Sequence, residues 1–240
     1  KVPKPKDFDV IESDTSEEED LSDLGTRIGI FTLFWTSGMF GNLDTGVIPT
    51  TIHQIMEELH TSPGETAFLA SVGFLSTGIG SIFVAPMMRV FPAKNVLVCA
   101  QIINASSTLL FLYSADYYVL LGARVVQGIA FSFFTTYSPV WINTFAPRKT
   151  VTQWISYAQS LTMIGIIVGF VVGSIAADAE QLGIKEYFNW RRALFTQGIA
   201  MYVNALFFLF YPNDKIDILA ELKRREETSL STYRSNERSQ

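Results

Sequence analysis

Long apolar runs, separated by short polar segments, fill most of the chain. A helix needs about 20 predominantly apolar residues to cross a bilayer. Six runs reach roughly that length, at 27–55, 65–89, 94–115, 116–145, 151–177 and 189–211. The pattern therefore predicts an all-α membrane protein with six transmembrane helices.

Composition supports the same fold class. Apolar residues make up 48% of the chain and charged residues only 17%, and most of the charges lie at the two ends. A water-soluble domain could not expose so long an apolar middle. The net charge of −5 comes largely from an acidic run near the N-terminus, so we expect no nucleic-acid partner. The one cysteine, Cys99, lies inside an apolar run and belongs to no metal-ligand set, and we expect no cofactor.

Charge and hydropathy divide the chain into three parts. Residues 1–26 are acidic and contain too few apolar residues to offset the entropy of ordering, which predicts a disordered tail. Residues 27–211 form the six-helix transmembrane bundle. Residues 212–240 form a linker, in which 214–227 alternates apolar and charged residues as a short interfacial helix does. Lysine and arginine favour one side of the bilayer, which places both termini in the cytoplasm. The expected location is the plasma membrane or an endosomal or lysosomal membrane.

Two charges lie inside apolar runs. Arg124 follows Asp116 by eight residues, which at about 1.5 Å per residue places it about 12 Å into the membrane. Such a residue costs about 2.5–3.5 kcal/mol on insertion scales and usually faces a bundle interior or a water-filled cavity. Asp44 lies deep in the first run and invites pairing with Arg124. The alternatives are a structural salt bridge, or an arginine that reaches the headgroups or backbone carbonyls.

The helix face that carries Arg124 mixes polar and aromatic residues, as the wall of a substrate cavity does. Residues three or four apart share a helix face, and this relation adds further residues of the fourth run to the site. The candidates for solute binding or coupling are Asp44, Arg124, Gln127, Phe131 and Thr135. Weaker candidates are Asn42, Thr45, His53, Gln153 and Tyr157. The fifth run carries Gly165, Gly169 and Gly173 at four-residue spacing, which predicts a close helix contact.

No constellation of an enzyme is visible in the sequence. There is no nucleophile elbow, no phosphate-binding loop ending in Lys-Ser/Thr, no His/Cys set with metal spacing and no pair of carboxylates within one run. We therefore expect a protein that is not an enzyme and holds no metal. Its expected partners are a small-molecule solute, with a proton, and the lipid bilayer.

Three segments resemble the N-terminal half of a major facilitator superfamily transporter. The fourth-helix motif R-x-x-Q-G of that superfamily is similar to Arg124-Val-Val-Gln-Gly128. Its fifth-helix glycine motif is similar to the glycine stripe that ends at Gly173. The start of its sixth helix is similar to Asn189-Trp-Arg-Arg-Ala-Leu-Phe195. The resemblance covers about 27–211. It implies one half of a twelve-helix secondary transporter that works by alternating access, with the solute at the interface with a C-terminal six-helix half. Whether the chain is part of a longer transporter or a half-size protein stays open.

Within the superfamily, Asp44, Pro49 and Pro139 most resemble the Spinster and organic-anion branches. That resemblance implies lysolipids, sphingolipids or small organic anions as solutes, and protons or sodium as coupling ions. Two positions depart from the Spinster pattern: Thr45 replaces an arginine and Phe131 replaces a glutamate. The sequence thus predicts a symporter for a small organic solute, anionic or amphipathic. The alternatives are a non-transporting sensor or accessory subunit of a membrane complex, and an uncoupled uniporter.

Overall fold

The computed structural model describes residues 6–179, 181–183, 187–224, 226, 227 and 230. All regular secondary structure within these residues is helical. The helices are α1 (Lys6–Gly41), α2 (Leu43–Thr50), α3 (Ile52–Leu59), α4 (Pro63–Val90), α5 (Ala93–Tyr113), α6 (Tyr117–Phe145), α7 (Val151–Ala177) and α8 (Trp190–Phe210). A 3₁₀ turn at Asn213–Lys215 and helical residues at 218–224 follow α8.

Four of the described helices, α4, α6, α7 and α8, are long and apolar enough to cross a membrane. The other two predicted spans are the first and the third apolar runs. The first run is divided among α1, α2 and α3, with breaks at Asn42 and Thr51. Pro49 lies inside α2, where a proline has no amide to donate and crowds the carbonyl one turn earlier. The third run corresponds to α5, whose buried face carries the polar residues Gln101 and Asn104.

The N-terminal segment differs from the disordered tail expected for residues 1–26. The structure extends α1 back to Lys6, so that residues 6–26 continue the first apolar helix without a break. One physical effect favours this extension. Each residue added to an existing helix gains a backbone hydrogen bond without a new nucleation cost. Residues 1–5, which the same expectation included, lie outside the described residues.

Side-chain caps fix where three of the long helices begin. Ser62 and Glu65 form a reciprocal capping box at the start of α4. The Asp116 carboxylate accepts hydrogen bonds from the first amides of α6, and the Asn189 side chain accepts one from the amide of Arg192 in α8. Caps of this kind satisfy amides that have no partner inside the helix. They set the register of α6, and through it the position of Arg124.

Helix α6 packs against both α4 and α5, while α8 packs against α5 and α7 packs along α1 and α2. The last contact is close because α7 presents glycines to the backbone of its neighbours. A Cβ atom added at Gly165 would strike the carbonyl of Met39, and one added at Gly169 would strike that of Leu43. The close contact predicted from the glycine spacing is confirmed, and it brings the first turn of α2 to the interior of the bundle.

Candidate functional site

The two charged residues of the apolar runs meet inside the bundle. Asp44 is 3% exposed and Arg124 6% exposed, and Nη1 of Arg124 donates a hydrogen bond to Oδ2 of Asp44. The same Nη1 donates to Oε1 of Gln127 at 2.8 Å, and Nε2 of Gln127 donates to Oδ2 of Asp44 at 2.9 Å. The three side chains therefore form one closed hydrogen-bonded network, which we call the ion-pair network.

Local geometry explains why these three residues meet. Asp44 lies in the first turn of α2, directly after the break at Asn42, where the helix dipole favours a negative charge. Arg124 and Gln127 are three residues apart in α6, and such residues share one helix face. The side chain of Asn42 donates to the carbonyl of Gly38 at 2.7 Å, which stabilises the break. The interruption of the first run thus turns a carboxylate toward α6.

The ion-pair network leaves hydrogen-bonding capacity unused. Oδ1 of Asp44 and Nε of Arg124 are buried and have no hydrogen-bond partner among the described residues. The guanidinium lies 6.0 Å from the ring centroid of Phe111, within the range of a cation–π contact. Near it lies Gly73, where an added Cβ would be 3.7 Å from Cζ of Arg124. Because Gly73 has no side chain, the guanidinium retains open space on the side of α4.

A cavity of about 220 Å³ opens beside the ion-pair network. We call it the polar chamber. Its walls come from the end of α1, the start of α2, and facing parts of α4 and α6. The residues that line it are Gly41, Asn42, Asp44, Thr45, Ala70, Gly73, Phe74, Thr77, Arg124, Gln127, Gly128, Phe131 and Thr135.

A second cavity of about 130 Å³ adjoins the first and is rich in aromatic residues. We call it the aromatic chamber. It lies among α1, α6 and α7 and shares two lining residues, Phe131 and Thr135, with the polar chamber. Its lining residues are Phe34, Trp35, Gly38, Phe131, Phe134, Thr135, Ser138, Pro139, Ile142, Ile155, Ala158, Gln159 and Thr162.

The structure separates the sequence candidates into two groups. The five principal candidates line the polar chamber, and so do two of the weaker ones, Asn42 and Thr45. His53, Gln153 and Tyr157 are exposed and line neither chamber. The backbone carbonyl of Tyr157 accepts a hydrogen bond from the indole of Trp35 at 3.2 Å. Tyr157 therefore contacts a residue of the aromatic chamber through its main chain and not through its phenol.

Sequence reasoning missed the wall that α4 contributes. Gly73 and Thr77 face the polar chamber, and Phe34 and Trp35 of α1 face the aromatic chamber. The spacing of Gly73 and Thr77, four residues apart on one face of α4, was the available signal. The described residues contain no group of three His, Cys, Asp or Glu side chains that could hold a metal ion. The ion-pair network lines the polar chamber, and the polar residues Thr135, Ser138, Gln159 and Thr162 line the aromatic chamber.

A second ion pair ties helix ends together outside the chambers. Nε of Arg191 donates to Oε1 of Glu58 at 2.8 Å, and Nε1 of Trp190 donates to Oε2 of the same carboxylate at 3.0 Å. Nη1 of Arg191 also donates to the carbonyl of Ser114 at 2.8 Å, just after α5 ends. Cations are stabilising near helix C-termini. This cluster holds the ends of α3 and α5 against the start of α8.

A bundle of apolar helices with a buried ion pair beside a cavity is an arrangement typical of membrane proteins that carry solutes or ions. The model of one family, the Major Facilitator Superfamily, matches residues 31–238. The chain belongs to the Major Facilitator Superfamily. Its helices correspond to the N-terminal half of the superfamily fold.

Known transporters align with this chain at low identity. The niacin transporter NiaP of Acinetobacter baylyi is 23% identical over 177 residues, which cover 72% of this chain and 38% of that protein. The arabinose-proton symporter of Escherichia coli K12 is 22% identical over 177 residues, which cover 74% of this chain and 36% of that protein. The chain therefore spans well under half the length of these relatives.

The same fold is found in a solved structure. The proton:xylose symporter XylE, bound to 6-bromo-6-deoxy-D-glucose, superposes with a TM-score of 0.70 at 14% identity. The superposition covers 83% of this chain and 50% of that one. At this level of identity the likeness establishes the fold and says nothing about the solute.

Proposed function

We propose that this chain forms half of a secondary active transporter that moves a small organic solute, anionic or amphipathic, across a membrane by alternating access. The observation that carries the proposal is the ion-pair network of Asp44, Arg124 and Gln127 at the wall of an internal cavity. Charged residues inside a membrane are expensive and typically mark solute or ion pathways. The proposed partner is a C-terminal six-helix half that closes the cavity from the other side.

Arg124 is the proposed contact for an anionic group of the solute. Its Nε has no partner among the described residues, and a guanidinium can bind a carboxylate through two parallel hydrogen bonds. Gln127 is the proposed second donor, and Phe131 and Thr135 the proposed wall. Niacin, the solute in the name of one relative, is a small aromatic carboxylic acid. This fits the organic-anion branch suggested by Asp44, Pro49 and Pro139 better than the lipid solutes of the Spinster branch.

Asp44 is the proposed coupling residue, and the proton is the proposed coupling ion. A proton bound at the unpartnered Oδ1 would neutralise the carboxylate and weaken its hold on Arg124, which would then be available to the anion. One relative is named as a proton symporter, which supports a proton rather than a sodium ion. We place both termini in the cytoplasm, in a plasma membrane or an endosomal or lysosomal membrane, from the distribution of lysine and arginine.

Uptake into proteoliposomes tests the proposal. The full natural chain is purified, reconstituted and supplied with radiolabelled niacin or D-xylose under an imposed pH gradient, or a sodium gradient at constant pH. We expect uptake of the carboxylate that is driven by the pH gradient and lost in Arg124→Ala. Arg148→Ala is the matched control, because Arg148 is exposed in the turn between α6 and α7 and lines neither chamber. Uptake that survives Arg124→Ala unchanged would reject the role of Arg124.

The same assay separates the alternative functions. An uncoupled uniporter would equilibrate the solute at a rate indifferent to pH and sodium gradients. A sensor or accessory subunit would bind a solute but would show no counter-flow of labelled solute in vesicles. The buried charged pair of the polar chamber favours transport, because charged residues inside a membrane typically mark solute or ion pathways.

A further inference from the structure

The two chambers meet at one aromatic side chain. Phe131 and Thr135 line both the polar chamber and the aromatic chamber. The ring of Phe131 lies directly over Gly41, the last residue of α1, where an added Cβ would overlap the ring. Glycine at that position is what lets the ring lie flat against α1. Phe131 is therefore a partition between the polar chamber and the aromatic chamber.

The aromatic chamber has the size and chemistry of a site for one ring. Its volume of about 130 Å³ is close to that of an apolar cavity of about 150 Å³, which holds one benzene molecule. None of the described residues that line it is charged. The hydroxyls of Thr135 and Thr162 donate to carbonyls of their own helices, at 3.1 and 3.2 Å. The rings of Phe34, Trp35 and Phe134 supply an aromatic surface, and Ser138 and Gln159 add polar groups to the same wall.

The polar chamber offers a cation at the other end. Arg124 is buried, and its Nε has no partner among the described residues. The space left by Gly73 gives access to the guanidinium from within the chamber. A solute that occupied both chambers would place an anionic head at Arg124 and an apolar group beyond Phe131.

We propose that the solute is a small organic anion with a single ring, and that Phe131 is the residue that determines its size. The carboxylate or equivalent head would bind Arg124, and the ring would occupy the aromatic chamber. This inference rests on the proposed transport function and narrows its solute class. An anion without a ring leaves the aromatic side chains of this chamber without a contact, so it would bind more weakly.

Equilibrium binding tests the inference independently of transport. The full natural chain in detergent is titrated with radiolabelled benzoate, in competition with acetate, benzyl alcohol, 2-naphthoate and D-xylose. Burying a phenyl ring removes apolar surface from water and favours binding, so we expect benzoate to bind at least about tenfold more tightly than acetate. Benzyl alcohol keeps the ring but lacks the charge, and we expect it to compete weakly.

Two substitutions change the aromatic chamber in opposite directions. Phe131→Ala removes the partition, and we expect the ratio of the affinity for 2-naphthoate to the affinity for benzoate to rise by at least about tenfold. Ala158→Leu fills the aromatic chamber from the α7 side. We expect the affinity for benzoate to fall by a similar factor, while the affinity for acetate is unchanged. Phe207→Ala is the control, because Phe207 is 53% exposed on α8 and lines neither chamber. If Phe131→Ala fails to fold, Ala158→Leu decides the question.

The outcomes distinguish this inference from the proposed function. If acetate binds as tightly as benzoate, or if neither substitution changes selectivity while Arg124→Ala abolishes uptake, the single-ring solute is rejected and transport of an anion stands. If D-xylose binds and no anion competes, the inference is overturned together with the anionic solute class. If no compound in the panel binds, the inference is likewise overturned.

Discussion

Replacing Arg124 by alanine should destabilise the protein strongly, because it leaves the Asp44 carboxylate buried without its cation. Asp44 is 3% exposed, and Gln127 would be its remaining hydrogen-bond donor among the described residues. Removing one partner of a buried ion pair typically costs about 3–5 kcal/mol. A change of 1 kcal/mol shifts the melting temperature of a chain of this size by about 2–4 °C. The expected loss is therefore on the order of 10 °C.

Thermal unfolding of the purified protein in detergent measures this effect, with Arg148→Ala as the exposed control. The double variant Asp44→Asn, Arg124→Gln removes both charges while keeping two hydrogen-bonding side chains. We expect it to be more stable than Arg124→Ala, with a coupling free energy between the two sites of at least about 1 kcal/mol. A melting temperature unchanged in Arg124→Ala, or effects of the two sites that simply add, would show that the buried pair does not exist in the folded protein.

Three further predictions concern other parts of the structure. Gly169→Ala should destabilise the protein by about 1–3 kcal/mol, because the new methyl group meets the carbonyl of Leu43. Gly78→Ala should be neutral or stabilise by up to about 1 kcal/mol, because no described heavy atom lies within 4 Å of the added Cβ. Melting temperatures of the two variants test this difference. Gly73→Leu should fill the polar chamber and abolish uptake of the solute, while size-exclusion chromatography shows an intact fold. Tyr137→Phe should speed hydrogen exchange of the amides at 216–220. The lost hydroxyl accepts a hydrogen bond from the amide of residue 218 at 3.1 Å and donates one to the carbonyl of residue 216 at 2.9 Å. Mass spectrometry of exchanged peptides measures this change.

The fold was predictable because hydropathy is read locally. Each long apolar run needs only its own residues to be recognised as a helix, and caps such as Asp116 mark where the helices begin. The break in the first run was less visible. It depends on Asn42 bonding back to Gly38 and on Pro49 inside α2, and neither residue specifies by itself whether a membrane helix bends or stops.

The charged part of the site was also predictable, since a buried charge stands out against an apolar run. Arg124 and Asp44 invited pairing for that reason, and Gln127 followed from helical spacing. The aromatic chamber was not predictable in the same way. Phe34, Trp35 and Phe134 are indistinguishable in the sequence from the other phenylalanines and tryptophans of the bundle, and only the packing of α1 against α6 and α7 shows that they face a cavity.

The neutrality of the ion-pair network constrains how a proton and an anion could move together. Asp44 and Arg124 carry opposite charges in a buried site, and adding a lone anion would leave a net charge there, which is costly in a medium of low dielectric constant. A proton on Asp44 removes that cost, because the anion then replaces the carboxylate as the partner of Arg124. If the proposed coupling is right, one proton accompanies each monovalent anion and the transport step carries no net charge. Uptake should then respond to a pH gradient and not to a membrane potential set with potassium and valinomycin. Uptake that follows the potential at constant pH would require a second titrating group or another ion, and would rule out Asp44 as the sole coupling residue.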